Sequence, residues 1–359
     1  MQLFDLIGEM GHEQLVVCHD TVSGYRGIIA IHNTTLGPAL GGTRYWHYES
    51  DDAAIIDALR LSRGMTYKNA LAGLNLGGGK SVIIGNNRNP GREMIFRAHG
   101  RFVDSLGGRY VTAEDVGTTT GDMDFVHMET EYVAGLAGRS GDPSPVTAHG
   151  VFRSIQASAK HRWGADDLSG RSVAIQGCGS VGTHLARALH KAGAKLVVSD
   201  IDPQRVHRVV EATEGAARVV STDVIHCQPV DIFAPCALGG GLNDVTIPTL
   251  RCEIVAGAAN NQLLTPEDGD ALAARGILYA PDYVANAGGV INVYSELAGW
   301  DRERALRKAD EIYDTVLGVF GIAAEQSIPT YLAADRLAER RIAAVRGMIQ
   351  TWPQWPRKS

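Results

Sequence analysis

Cysteine is scarce in this chain and unpatterned. Five thiols, Cys18, Cys178, Cys227, Cys236 and Cys252, are scattered over 359 residues with no CxxC pair. An odd, scattered set excludes a disulfide framework and argues against a zinc site; it fits reduced thiols in a cytoplasmic protein. The twelve histidines form no HxxxH or HExxH, so no metal is expected. Net charge is only −6, whereas nucleic-acid partners select a basic surface, so no nucleic acid is expected. Charge runs and low-complexity blocks are missing too, which removes the sequence grounds for a disordered tail. No apolar run is long enough to cross a bilayer, so no membrane partner is expected. The opening MQLFDLIGEMGHEQ carries acids early and lacks a long apolar core, unlike a secretory signal.

What is present is enough for two hydrophobic cores: 359 residues, 45% of them hydrophobic, predict two domains. The chain is organised around Ser172–Asp200. A short apolar run, 172–176, ends on Gly177-Cys178-Gly179-Ser180-Val181-Gly182. A helical pattern follows with Leu185, Ala188 and Leu189 on one face, broken at Ala192-Gly193. A second apolar run, 195–199, ends on Asp200. Strand, glycine turn, helix, strand and acid are the context of a dinucleotide-binding fingerprint. Gly177 allows the tight turn, Gly179 lets backbone approach a pyrophosphate, and Gly182 lets the helix pack on the strand. The helix N-terminus offers N–H groups and a positive dipole end to phosphates. Asp200 can accept from the adenosine ribose hydroxyls and repels a 2′-phosphate, which favours NAD over NADP. Arg205 nearby weakens that preference.

Residues 13–48 read as strands, with Leu36–Arg44 bent by its glycines. Ser50 caps a helix that runs towards Lys68. Leu74–Ser81 contains a triple-glycine loop before the strand Val82–Ile84. Arg92–Leu106 is helical, Arg109–Ala113 is a strand, and Arg139–Pro145 is a linker rich in Gly, Pro and Ser. After Asp200, runs at 218–220, 230–239, 253–259 and 277–283 continue the βα alternation, predicting a parallel, doubly wound sheet with ligand at the strand carboxyl ends. From Val290 to Met348 the pattern is helical, broken near Gly299 and at 327–329, and the last helix returns to the first domain. The fold class expected is therefore α/β in two domains. The divisions are 1–145 for a substrate-binding and oligomerisation domain, 146–325 for a Rossmann-type domain, and 326–359 for a helical C-terminal segment.

Chemistry concentrates in few places. Lys80 follows three glycines and precedes an apolar strand. Burial and a neighbouring cation would bring its ammonium towards the range of a general base. Lys68 can be that cation, or hold a substrate carboxylate; both lysines can also be surface residues beside a loop. Asp115, after a strand and before Val116-Gly117, can relay a proton or simply form a turn. Asn260 and Asn261 can donate to a carboxamide or a carboxylate, or likewise form a turn.

The pieces TTLGPALGGTRYW, DALRLSRGMTYKNALAGLNLGGGKSVIIG, GRYVTAEDVGTT, GDPSPVTAHGV, DIFAPCALGG, AGAANNQL, YAPDYVANAGGVINV and AADRLAERRI together resemble the amino acid dehydrogenases of the glutamate/leucine/phenylalanine/valine superfamily, and within it most resemble the leucine dehydrogenases. The likeness runs from Glu13 to about Arg346. It implies an N-terminal substrate domain, a C-terminal NAD domain and a cleft that closes for hydride transfer. The implied reaction takes an L-amino acid, NAD and water reversibly to a 2-oxo acid, ammonia and NADH. Position by position, the resemblance puts Lys68 on the substrate carboxylate, with Gly41 and Gly42 lining that site. Lys80 becomes the catalytic lysine that activates water, and Asp115 the proton-transfer carboxylate. Asn260 and Asn261 are shared between nicotinamide and substrate, and Thr147, Ala237 and Leu238 touch the cofactor. It further implies a cytoplasmic homo-oligomer, from dimer to octamer.

By the same match, Leu40, Ala113, Val290 and Val293 face the substrate side chain. All are apolar, so a glutamate enzyme, which needs a cation there, is not expected. Ala113 and two valines suggest room for leucine, isoleucine or valine, with modest discrimination because one methylene is worth only about 1–3 kcal/mol. RFVDSLGGR, VVSDIDP and INVYSEL look as much like the valine and aromatic branches, which keeps a valine, phenylalanine or tryptophan enzyme as the alternative. A hydroxy-acid dehydrogenase needs a His–carboxylate pair that is not seen. A catalytically dead relative would be expected to lose Lys68, Lys80 or Asp115.

Overall fold

The computed structural model describes residues 2–136, 138–139 and 141–351, with side chains to Met348 at the C-terminal end. Ser140 of the expected linker, and 352–359 of the expected C-terminal segment, lie outside the described residues. The chain forms two compact units. One comprises Met1–Gly141, Glu296–Gly299 and Ala338–Ser359; the other comprises Asp142–Ser295 and Trp300–Leu337.

The first unit begins with a helix that the sequence reading did not assign, α1 (Leu3–Met10). It continues β1 (Gln14–Asp20), β2 (Tyr25–Asn33), β3 (Ala39–Trp46), α2 (Asp51–Leu71), β4 (Gly77–Ile84), α3 (Arg92–Asp104), β5 (Tyr110–Glu114) and α4 (Thr120–His127). Ser50 caps α2 as expected, its hydroxyl accepting from the Ala53 N–H, with Asp51 and Asp52 in the first turn. The sheet order is β1-β2-β4-β3-β5. β1–β2 and β2–β4 are antiparallel, whereas β4–β3 and β3–β5 are parallel. Strand alternation gives the sheet two apolar faces. Ile29, Ile31, Tyr45, Ile83 and Tyr110 pack with Ile95 and Phe96 of α3 and Met123 and Val126 of α4. Ile28, Ala30 and Val82 pack with Ala54, Ala58 and Leu59 of α2.

One expectation fails here. Gly77-Gly78-Gly79 is not a loop; it lies inside β4, the central strand. The reason is crowding on both faces. A Cβ at Gly79 would lie 2.6 Å from the Tyr110 ring, and one at Gly78 would strike Thr66 of α2. The glycine-bent segment 36–44 likewise becomes regular strand from Ala39, and bare Gly41 lets it lie against the Gly79 carbonyl.

The second unit opens with a helix not assigned from sequence, α5 (Ser144–Trp163). It continues β6 (Ser172–Gln176), α6 (Ser180–Lys191), β7 (Lys195–Ser199), α7 (Pro203–Ala212), β8 (Arg218–Val219), β9 (Ile232–Pro235), β10 (Ile254–Val255), α8 (Pro266–Ala274), β11 (Leu278–Tyr279) and α9 (Asp282–Ala285). Then come α10 (Gly288–Ala298), α11 (Arg302–Asp310), α12 (Ile312–Gln326) and α13 (Thr330–Thr351); α10 from Glu296 and α13 from Ala338 count with the first unit. The sheet order is β11-β10-β9-β6-β7-β8, every pair parallel. This is the doubly wound dinucleotide-binding order, with its switch point between β6 and β9. The run 277–283 is strand only at Leu278–Tyr279; from Asp282 the chain turns helical. The helical breaks fall where the sequence placed them, with Gly299 (φ 64°) and Ser327 (φ 55°) both left-handed.

Candidate functional site

In the first unit, strand alternation sets the site. Leu40, Gly42 and Arg44 share one face of β3, in register with Gly78, Lys80 and Val82 of β4 and with Ala113 of β5. On that face Lys80 is buried, 5% exposed, with Nζ 2.8 Å from Asp115 Oδ2. Asp115 follows β5. Its backbone is fixed by its N–H donating to Thr118 Oγ1 at 2.8 Å, while Thr118 Oγ1 lies 3.1 Å from the Thr43 carbonyl. A Cβ at Gly42 would sit 2.8 Å from Asp115 Cβ. Glycine is therefore what lets this carboxylate lie over β3. Leu40 and Ala113 are buried. Lys68 lies in the last turn of α2.

A cation beside Asp115 other than Lys80 is one that the sequence reading passed over. Arg44 Nε donates to Asp115 Oδ2 at 3.2 Å, and Arg44 Nη1 to Asp57 Oδ2 at 2.8 Å. Tyr48 donates to the same Asp57 oxygen at 2.7 Å. The signal was two residues beyond Gly42, one strand period, and was lost when the segment was read as a bend. Burial lowers the Lys80 ammonium from its ordinary value, and Asp115 restores only part of it. Burial raises the Asp115 carboxyl, but Lys80 and Arg44 outweigh burial and hold it below the usual carboxylate value. The result is an anion beside a lysine biased towards neutrality.

The opposite face of the same strands is cross-linked by buried hydroxyls. Thr43 Oγ1 lies 2.7 Å from Ser81 Oγ, 2.9 Å from His99 Nε2 and 2.5 Å from Thr112 Oγ1. Tyr110 donates to the Gly41 carbonyl at 2.5 Å. Burial pushes His99 down to about 3, so it is neutral at physiological pH.

In the second unit the glycine turn joins β6 to α6 at the switch point. Gly177 has φ 103°, and a Cβ there would lie 2.8 Å from Cys236 beyond β9. Gly182 packs on the Gly177 carbonyl. Gly179 differs: its φ is −67° and no described residue lies within 4 Å of where its Cβ would be. Neither backbone strain nor packing among the described residues asks for glycine there, and the bare backbone leaves room for a ligand to approach. The residues present thus fit a dinucleotide pyrophosphate. Ser180 and Val181 open α6, and Ser180 Oγ donates to Asp142 at 3.2 Å.

Asp200 follows β7, with its oxygens accepting the N–H groups of Cys178 (2.7 Å) and Asp202 (2.9 Å). Burial, then the Asp200 charge, push the Cys178 thiol up to about 12, so it is inert packing. Arg205 is turned to Asp202 at 3.4 Å. Ala237 and Leu238 follow β9 and are exposed, and Asn260 and Asn261 follow β10 and are exposed as well. Asn286 donates to Asn260 Oδ1 at 2.9 Å, and Gly240 N–H to the Asn261 carbonyl at 2.7 Å. Thr147 lies in the first turn of α5, donating to the Pro143 carbonyl at 2.9 Å. Val290 is buried and Val293 half-buried on α10.

A lysine–carboxylate pair in one unit and a dinucleotide-type glycine turn in the other are the parts of a dehydrogenase that moves protons with side chains and electrons with a nucleotide. Comparison with known proteins narrows this class. Residues 12–132 match the family model for the Glu/Leu/Phe/Val dehydrogenase dimerisation domain, and 138–347 match that for Glutamate/Leucine/Phenylalanine/Valine dehydrogenase. Leucine dehydrogenase of Geobacillus stearothermophilus is 56% identical over 349 residues, 96% of this chain and 95% of that protein. Valine dehydrogenase of Streptomyces coelicolor is 52% identical over 340 residues, 94% of this chain and 93% of that protein. The crystal structure of L-tryptophan dehydrogenase from Nostoc punctiforme superposes with a TM-score of 0.88 at 50% identity, covering 96% of this chain and 99% of that one.

The chain belongs to the Glu/Leu/Phe/Val dehydrogenase family. It is an amino acid dehydrogenase with a two-unit α/β fold, dependent on a nicotinamide dinucleotide.

Proposed function

We propose that this enzyme oxidatively deaminates branched-chain L-amino acids, leucine foremost, with NAD as acceptor, reversibly and as a cytoplasmic homo-oligomer. The observation that carries the chemistry is the buried Lys80 at 2.8 Å from Asp115, on the strand face that also bears Leu40, Gly42 and Ala113. Lys68 takes the substrate carboxylate beside the bare backbone of Gly41 and Gly42. Asp115 receives the proton of the substrate amino group. The bound nicotinamide supplies the two-electron acceptor. Lys80, kept towards neutrality by burial, then takes a proton from the water that attacks the iminium carbon, and returns it as ammonia leaves. The dinucleotide would be held by 177–182, Thr147, Ala237, Leu238, Asn260 and Asn261. NAD over NADP is supported by Asp200, whose two backbone hydrogen bonds fix its carboxylate, and by the pairing of Arg205 with Asp202.

The apolar character of Leu40, Ala113, Val290 and Val293 supports an aliphatic side chain, as do relatives named leucine and valine dehydrogenase. The tryptophan relative favours a second reading, an aromatic substrate. Association through the first unit is supported by the dimerisation-domain match and by edge strand β1, where Val17 is 71% exposed. The test is NADH formation at alkaline pH with leucine, valine, isoleucine, phenylalanine, tryptophan and glutamate in parallel. The aliphatic three are expected well ahead. Phenylalanine or tryptophan ahead overturns the aliphatic reading, and equal use of NADP overturns the role of Asp200.

A further inference from the structure

We propose that Arg44 is the positioning residue of the Lys80–Asp115 pair: it neutralises the Asp115 carboxylate at the oxygen it shares with the lysine, so Lys80 can release its proton without stranding a half-buried anion. The inference rests on the reading of Lys80 as the base.

The geometry is a single chain of contacts. Tyr48 and Arg44 both donate to Oδ2 of Asp57, and Arg44 and Lys80 both donate to Oδ2 of Asp115. Every link bears on a shared oxygen, so each cation competes with the other for the same anion. The groups come from four places: Lys80 from β4, Arg44 from β3, Asp115 from the end of β5, and Asp57 from α2. Lys68 stands further along α2. The Glu114 carboxylate accepts from Thr120, on the exposed side.

Charge counting gives the consequence. With Lys80 protonated, the two cations and two carboxylates of this chain sum to zero. Deprotonating Lys80 leaves one net negative charge, and a guanidinium that never titrates still neutralises Asp115. Remove Arg44, and the same deprotonation leaves two carboxylates with no cation among the four. Remove the Asp57 charge instead, and deprotonation brings the cluster to neutrality. The two changes therefore act on Lys80 in opposite directions. A brace that merely ties α2 to β3 acts in one direction only, because both variants cut the same Arg44–Asp57 contact.

The test compares pH profiles of kcat and kcat/KM, with leucine and NAD, for the wild type, Arg44→Met, Arg44→Lys and Asp57→Asn. In Arg44→Met the acid limb moves to higher pH. The kcat loss is about tenfold near neutrality and narrows as pH rises. Arg44→Lys returns the limb towards the wild type, and Asp57→Asn moves it to lower pH. A second readout needs no turnover: the pH dependence of Lys80 acetylation by acetic anhydride, followed by peptide mass, moves in the same two directions. Losses that are equal at every pH, or limbs and acetylation curves that move the same way in both variants, overturn the proposal. If the wild type forms no NADH with any amino acid, the functional reading falls, and the acetylation curves still judge Arg44.

Discussion

The two candidate sites are built from opposite materials. At the switch point of the second unit the working parts are backbone: a positive-φ glycine, a bare glycine, a helix N-terminus and a carboxylate aimed by two N–H groups. On the β4 face of the first unit they are side chains, Lys80, Asp115 and Arg44, gathered by strand pairing, with Asp57 added from α2. The first kind holds a ligand whose shape is given. The second kind moves protons, which requires groups whose charge can change. Substitutions should therefore separate binding from turnover, unit by unit.

The largest separation is expected at Lys80. Lys80→Ala leaves Asp115 with Arg44 and removes the proposed base. The expected loss in kcat is on the order of a thousandfold, while NADH affinity, read by fluorescence titration, stays within about twofold. Weakened NADH binding with near-normal turnover would break the comparison.

The next contrast is acid stability of the first unit. His32 lies buried, Nδ1 2.7 Å from Thr66 Oγ1 and Nε2 3.1 Å from the Met10 carbonyl. Burial, then neighbouring His12, push it down to about 4. An unfolded histidine titrates near 6.5, so this group binds protons more readily when unfolded. Its stabilising contribution is full above about pH 6.5 and is lost as pH falls towards about 4. Over that window the loss is about 3 kcal/mol. Urea midpoints, followed by hydrogen exchange of β2 and β4 amides, should fall steeply between these pH values. In His32→Asn they should start lower and fall less steeply. An unchanged slope would mean that His32 does not set it.

How far each region could be read from sequence follows from the same contrast. The glycine turn is local: strand, turn, helix and acid fall within 172–200, and spacing alone placed them. Lys80 and Asp115 were singled out, but their shared oxygen with Arg44 was not. That contact depends on β3 lying between β4 and β5, and sheet order is not written in any one segment. The triple glycine misled for a related reason. Glycine ordinarily breaks strands, and here it serves one, because α2 on one face and Tyr110 on the other leave no room for side chains. Helices α1 and α5 escaped assignment, and two-residue strands such as β10 were overdrawn.

A smaller effect separates two glycines three residues apart. Gly179→Ala meets no described residue, and Gly182→Ala meets the Gly177 carbonyl. The first should leave the melting temperature within about 1 °C and weaken dinucleotide binding about tenfold, as befits one lost close approach. The second should lower the melting temperature by several degrees. If Gly179→Ala destabilises the fold as much as Gly182→Ala, the turn is structural throughout, and the argument from empty space fails.

The smallest expected effect lies at Ala113, beside Gly42 in register and on the lysine face of β5. Ala113→Gly removes one methyl from a buried position. A single methyl group in an apolar pocket alters discrimination by about 1 kcal/mol, several-fold in kcat/KM. If Ala113 bounds the substrate side chain, the ratio of kcat/KM for phenylalanine over leucine should rise by that factor, while the acid limb of the pH profile stays in place, since no charge of the Lys80 cluster has changed. A ratio that stays constant would put Ala113 outside the pocket. A ratio that rises together with a displaced acid limb would mean that β5 has shifted Asp115, and the substitution would then report on the proton-transfer pair rather than on pocket size.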